Sequence, residues 1–309
     1  MTREPELPSG RQLELAWGDQ RVVVTEVGGS LRSYTVDGRP VLDGYEAGEM
    51  CSGGRGQVLA PWPNRLAGGR YRFGDDELQL PFEPDRGSAM HGLVRWANWE
   101  VLHHEADRAV VGLVVHPQSG YPFTLELVIE YRLSRGGLSV ATTATNAGGR
   151  PLPFGAGFHP YFTVGTDTVD QAVLHVPAAN RLEVDEQGIP SGAVSPVEGT
   201  VVDFRSPKRI GDLRLDACFT GLERDDGHSH VVLAAPGGTP AVTVWMDRAL
   251  AYVMVFSGDT LAPARRRRGL AVEPMTCAPD AYHNGLGLQV LEPGEAARCT
   301  WGIRPHPPA

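Results

Sequence analysis

TLELVIEYRLSRGGLSVATTATN, residues 124–146, decides the fold class of this chain. β-forming residues alternate with polar ones on either side of Gly136-Gly137, a strand–turn–strand pattern whose side chains take turns on two faces. Working outward, the same pattern recurs almost everywhere. RQLELAW (11–17), RVVVTEV (21–27) and LRSYTVDGRPVL (31–42) alternate or cluster β-formers, with Asp37-Gly38 as a hairpin signal. YRFGDDELQL (71–80) is another hairpin around Gly74-Asp75, and WANWEVLHHEADRAVVGLVV, HVVLAAPGGTPAVTVWM and LAYVMVFSG continue the series. No window offers three turns of helical periodicity; RIGDLRLDACF (209–219) comes nearest, as one short helical turn. Glycine and proline fall as punctuation, so strands return every ~8–12 residues, the spacing of a large sandwich or barrel. The expected fold is all-β: a large antiparallel β-sandwich with little helix. Residues 1–309 read as one domain, with MTREPELPSG (1–10) as a flexible tail.

Composition narrows the partners. With 41% hydrophobic and 21% charged residues, the chain has enough apolar material for a core that folds unaided. A net charge of −9 argues against nucleic acid or an anionic membrane surface as the main partner. No basic segment followed by an apolar one opens the chain, and no apolar run approaches the ~20 residues of a membrane span. Cys51, Cys218, Cys277 and Cys299 are scattered singly, without a C-x-x-C pair, and read as free thiols of a cytoplasmic protein.

Four stretches have a prescribed backbone. In FGAGFHPYFTVG (154–165), Pro160 forces His159 toward extended geometry among glycines and aromatics. By itself that histidine reads equally as a packed core residue. In GQVLAPWPNRLAGGRYRF (56–73), two prolines stiffen the approach to Asn64 and Arg65, whose planar guanidinium suits bidentate contact with hydroxyls or carboxylates. GSAMHGLVRWANW (87–99) carries His91 before Gly92. In GLAVEPMTCAPDAYHNG (269–285), Leu270 and Val272 face one side of a strand while Ala271 and Glu273 face the other. A carboxylate ending an apolar strand costs several kcal/mol, roughly, unless it is paired, and such an expense marks a candidate site. PARRRRGL (263–270) is the one charge run and reads as a solvated loop, with an anion-binding patch as the alternative. His228-Ser229-His230 lacks the further ligands a metal site needs, and Trp62, Trp96 and Trp99 read as core, with one of them as a stacking platform for a pyranose face as the alternative.

The ordered set N-R, H-G, H-P-Y-F and a late strand ending in Glu resembles the aldose 1-epimerase (galactose mutarotase) family, from about Gly56 to the C-terminus. The resemblance implies a large β-sandwich with an open cleft, and it implies roles. Arg65, with Asn64 beside it, would contact sugar hydroxyls. His91 would hydrogen-bond near the ring oxygen, and His159 would donate the proton to that oxygen. Asp216, in LDACF, would bind hydroxyls far from the anomeric carbon, and Glu273 would be the catalytic base. The chain departs from the family pattern with His91-Gly92-Leu93 for H-G-G, HPYFT for H-S-Y-F-N, and Pro274-Met275 for Thr-Gln. These changes surround the sugar and leave the acid and the base.

Interconverting α and β anomers removes a proton from the C1 hydroxyl and gives one to the ring oxygen; the ring opens, C1–C2 rotates, and the ring closes on the other carbonyl face. One base and one acid with pKa values near the working pH suffice, so no metal or cofactor is expected. The expected kcat/KM profile is bell-shaped, its acid limb set by Glu273 and its alkaline limb by His159. The expected partner is a small-molecule sugar, on a monomer or homodimer. A hexose-6-phosphate 1-epimerase is the runner-up, with Arg95 or Arg265–Arg268 supplying cations. A carbohydrate-binding protein without turnover is the non-enzymatic alternative, while a glycosidase would need two catalytic carboxylates.

Overall fold

A computed structural model of the chain describes residues 6–82 and 87–307, which are strand and connecting turn almost throughout. The stretch 124–146 forms the strands Leu125–Ser134 and Gly137–Asn146, in continuous antiparallel register from Leu125↔Asn146 to Ser134↔Gly137. Leu125, Leu127, Ile129, Tyr131 and Leu133 are buried on one face, while Glu126, Arg132 and Ser134 lie exposed on the other. This hairpin supplies the third and fourth strands of a nine-stranded sheet. Its order is Glu100–His104, Arg108–Val115, Leu125–Ser134, Gly137–Asn146, Ala296–His306, Ala241–Met246, Ser229–Ala234, Val173–His175, Lys208–Arg209. A second, eight-stranded sheet runs Pro190–Pro196, Ala178–Val184, Asp216–Leu222, Tyr252–Phe256, Leu270–Met275, Gly157–Phe158, Val58–Leu59, with Tyr161–Phe162 also pairing Leu270–Met275. A four-stranded sheet holds residues 12–40.

The core lies where the two large sheets meet. Val140, Val244 and Ile303 from one sheet join Val253, Val255 and Val272 from the other in one buried cluster, and the Phe158 ring lies 5.2 Å from that of Trp301 across the gap. Burial of this kind stabilises by about 25 cal/mol per Å² of apolar surface, so the fold draws its stability from the sheet interface. The opposite face of the eight-stranded sheet is left for other work.

Two sequence expectations change. RIGDLRLDACF holds no helical turn: residues 216–222 are a strand paired with Tyr252–Phe256. Among the described residues the one short α-helix is Ala281–Asn284, too brief to show a period. Of the stretch read as a tail, residues 1–5 lie outside the described residues. Ser9 is buried and its carbonyl accepts the Val27 N–H. All four cysteines are free and buried, and among the described residues no helix is long and apolar enough to cross a membrane.

Gly137 is where the 125–146 hairpin meets the strand Ala296–His306. It sits at φ +105°, and a Cβ there would lie 2.0 Å from the Ile303 carbonyl oxygen. Gly137→Ala should therefore cost about 2 kcal/mol or more, from backbone strain plus overpacking. Chemical denaturation measures this; an unchanged midpoint would show that the hairpin yields freely.

Candidate active site

The strand Leu270–Met275 is buried at every residue. Leu270 and Val272 belong to the inter-sheet core, and Glu273 faces the other way, as alternation requires. On one side this strand pairs Gly157↔Met275 and then Tyr161↔Ala271, with the ladder interrupted at His159-Pro160. Neither Pro160 nor Pro274 has an N–H to give to a ladder. The register carried through the gap sets His159 opposite Glu273, and Nε2 of His159 lies 3.3 Å from Oε1 of Glu273. The next row on the same face reads Tyr161↔Ala271↔Phe256↔Asp216. Sheet register thus carries His159, Glu273 and Asp216 to one place.

The facing wall comes from the stiff Pro-Trp-Pro segment. Strand Arg65–Ala67 pairs with Ser88–Met90, and beyond its end Asn64 and His91 both adopt left-handed backbone, at φ +56° and +62°. Asn and His tolerate that region better than most side chains. The two residues are tied reciprocally: His91 N–H donates to the Asn64 carbonyl at 2.8 Å, and Asn64 N–H donates to His91 Nδ1 at 3.2 Å. Because a backbone N–H can only donate, Nδ1 is the acceptor, and the neutral ring carries its proton on Nε2. Arg65 donates to Asn64 Oδ1 at 3.1 Å and to Asp216 Oδ2 at 3.2 Å. From behind, Asp280 N–H donates to the Arg65 carbonyl, and Asp280 Oδ1 accepts from Ala67 N–H and contacts His283 Nδ1.

All six residues singled out by the sequence (Asn64, Arg65, His91, His159, Asp216 and Glu273) line one cavity of about 200 Å³. Sequence reasoning missed Tyr161, which stacks on His159, and Phe256 and Leu261 in the wall. Trp62 and Trp99 are core as expected, but Trp96 is 47% exposed and lines the cavity. The arginine run alternates. Arg265 and Arg267 are half-buried, the first donating to Glu49 and the Gly44 carbonyl, the second to Asp170, Asp259 and two backbone carbonyls. Two of the four therefore clamp the loop that presents Leu261, and none lines this cavity. Among the described residues no three His, Cys, Asp or Glu side chains gather in a metal-holding group.

Burial reverses the order of acidities expected from free side chains. Enclosure pushes the Glu273 carboxyl well above its usual range, with the charge of Asp216 adding to the effect and Arg65 opposing it. The same enclosure pushes the His159 imidazole far below its usual value, with the Arg55 and Arg95 cations adding. Glu273 Oε2 and His159 Nδ1 have no hydrogen-bond partner among the described residues. Both directions favour the uncharged pair, carboxylic acid beside neutral imidazole, over the ionised one. Groups in such contact titrate as a pair, and the limbs of a pH profile belong to the pair rather than to either residue.

The fold and the cavity define a carbohydrate-epimerase scaffold with a buried carboxyl–imidazole contact in the cavity lining. The chain belongs to the aldose 1-epimerase family, whose model matches residues 11–303. It is 33% identical to the uncharacterized protein YihR of Escherichia coli over 96% of this chain and 93% of that protein. It is 26% identical to the maltose epimerase of Levilactobacillus brevis, over 93% of this chain and 88% of that one. In fold it is similar to the GalM/aldose epimerase homologue from C. elegans, with a TM-score of 0.85 at 18% identity, covering 96% of this chain and 99% of the other.

The raised pKa of Glu273 has a consequence for stability. A carboxyl whose folded pKa lies above its unfolded one favours the fold below the unfolded pKa; that contribution is lost as pH rises toward the folded value, at about 1.4 kcal/mol per unit. Glu273→Gln, which cannot ionise, should raise Tm at pH 7–8 by roughly 2 °C or more, with the gain shrinking toward pH 4. Calorimetry across that range measures it, and a variant that melts lower at every pH would overturn the reading of the buried pair.

Proposed function

We propose that the chain is an aldose 1-epimerase that interconverts the α and β anomers of a free aldose. The observation that carries this reading is the enclosed contact between Glu273 and His159. The two oxygens that exchange protons during anomerisation, O1 and the ring oxygen, are bonded to the same carbon, so an acid and a base in mutual contact can address both. Glu273 takes the proton from the C1 hydroxyl. The O1 electron pair forms the carbonyl, the bond from C1 to the ring oxygen breaks, and His159 supplies the proton that the ring oxygen gains. Rotation about C1–C2 and the reverse sequence give the other anomer and restore both groups.

The reacting form of the pair, carboxylate and imidazolium, contains the same single proton as the resting form. One proton shift along the Nε2–Oε1 contact interconverts them. His91, with its proton on Nε2, donates a hydrogen bond near the ring oxygen. Arg65, Asn64 and Asp216 hold hydroxyls; the tie between Arg65 and Asp216 pre-forms a donor–acceptor edge that matches a sugar's neighbouring hydroxyls. The cavity is smaller than the roughly 300–1,000 Å³ of drug-sized sites, which suits one sugar ring.

The hexose-6-phosphate reading has one observation in its favour: Arg95 lies in the cavity wall, although the arginine run does not. The reading as a binder without turnover has none, since binding alone gains nothing from an enclosed, mismatched acid and base.

Polarimetry or NMR of anomer exchange on a panel of free and 6-phosphorylated sugars is the direct test. Exchange on free sugars without a preference for 6-phosphates is expected; a strong preference that Arg95→Gln abolishes would favour the runner-up. Glu273→Gln and His159→Asn should each lower kcat by about 10²-fold or more in folded protein, and near-normal turnover in either would remove that residue from the chemistry. Arg65→Lys should raise KM more than it lowers Tm, because the charge stays and the fork is lost. An unchanged KM would leave Arg65 as a loop-capping residue.

A further inference from the structure

The acid–base chemistry makes no use of a buried ion pair that lies beside it. Tyr161 stacks on the His159 imidazole with ring centres 5.0 Å apart and planes 18° from parallel. The guanidinium of Arg55 lies over the same tyrosine ring, its Cζ 4.6 Å from the ring centre. The positive charge is therefore no farther from the imidazole centre than these two distances combined. Arg55 is 2% exposed and paired at 3.1 Å with Asp43, itself 5% exposed. Its Nε also donates to the Asp43 carbonyl and its Nη1 to the Ser52 carbonyl. The turn that carries Arg55 grips both rings. Gly53 accepts the Tyr161 hydroxyl proton at 2.9 Å, and at Gly54 a Cβ would stand 2.9 Å from His159 Cδ2.

A buried ion pair is a weak source of stability, since desolvation offsets much of its attraction. A cation this enclosed is, however, poorly screened, and it acts on whatever ionises nearby. We propose that Arg55 is a positioning residue whose charge, held by Asp43 beside the Tyr161 ring, destabilises the imidazolium of His159 and so makes it a stronger proton donor to the sugar ring oxygen. The proposal rests on the reading of His159 as the acid. The other groups facing that ring are Glu273 across the strand pair, which favours the imidazolium when ionised, His91 edge-on at 5.3 Å, and Arg95, which opposes it from the partly solvated wall. Arg55 differs from Arg95 in being sealed from water, so its effect persists at high salt.

The test compares Arg55→Gln, Arg55→Lys and Asp43→Asn with the natural chain, following kcat/KM against pH and the His159 ring nitrogens by ¹⁵N NMR. At an effective dielectric of about 20, one charge at this range is worth on the order of one pH unit. Arg55→Gln should move both limbs of the bell upward by about that much, Arg55→Lys should leave them in place, and Asp43→Asn, which strips the cation of its counter-charge, should move them downward. A purely structural role predicts lower folded fractions in all three with limbs unmoved. Unmoved limbs in folded Arg55→Gln, or shifts of the same sign in Arg55→Gln and Asp43→Asn, would overturn the proposal. If Arg55→Gln does not fold, the sign of the Asp43→Asn shift decides. Anomer exchange by the natural chain is the control: its absence would end the parent reading, while the nitrogen titration would still report what the Arg55–Asp43 pair does to His159.

Discussion

A carboxyl and an imidazole, both shut away from water, are held 3.3 Å apart on the face of a sheet whose other face is the hydrophobic core. In water each would ionise independently. Enclosed together, they are forced to share a proton, because any state with an unbalanced charge bears the full cost of desolvation. Everything around the pair can be understood as serving that constraint. The sheet supplies rigidity, the aromatic rings of Tyr161 and Phe256 keep the dielectric low, and charged partners stand at chosen distances. The arrangement is one that folding alone would not select, since Oε2 of the carboxyl and Nδ1 of the imidazole have no hydrogen-bond partner among the described residues.

How the backbone achieves this depends on breaking its own rules in two places. An uninterrupted ladder would fix His159 in an ordinary strand position; two prolines on adjacent strands prevent that and open a gap where the imidazole meets Glu273. Across the cavity, two consecutive-looking but distant residues, Asn64 and His91, turn left-handed together and bind each other's backbone. Both departures sit on either side of the pair, and the regular strands beyond them absorb the strain.

Much of this was legible in the sequence, and what was not has identifiable causes. The alternation of residues 124–146 disclosed the sheet, and Leu270 to Glu273 disclosed which side chain would leave the core. His159 and Arg65 were recognisable because proline stiffens the chain around each. Register between segments more than a hundred residues apart has no local signature, so the placement of His159 against Glu273 and of Asp216 one row away came only from the structure. Arg55 was overlooked and Trp96 was read as core, for opposite reasons. An arginine after two glycines looks like a surface turn, and a tryptophan's bulk makes the interior its default reading. The run of four arginines looked uniform, yet the successive turns that carry it leave Arg265 and Arg267 half-buried against acidic and carbonyl partners while Arg266 and Arg268 stay exposed.

The left-handed backbone at Asn64 and His91 also bears on how this site can change over generations. A replacement at either position must satisfy a chemical requirement and a conformational one, and β-branched or bulky residues fail the second before the first is asked. These two positions therefore have few neighbours in sequence space. Trp96, Phe256 and Leu261 line the same cavity without the positive φ of that pair, so a replacement there meets no such backbone requirement. Divergence toward new sugars has an open route through the wall and a closed one through the Asn64–His91 pair.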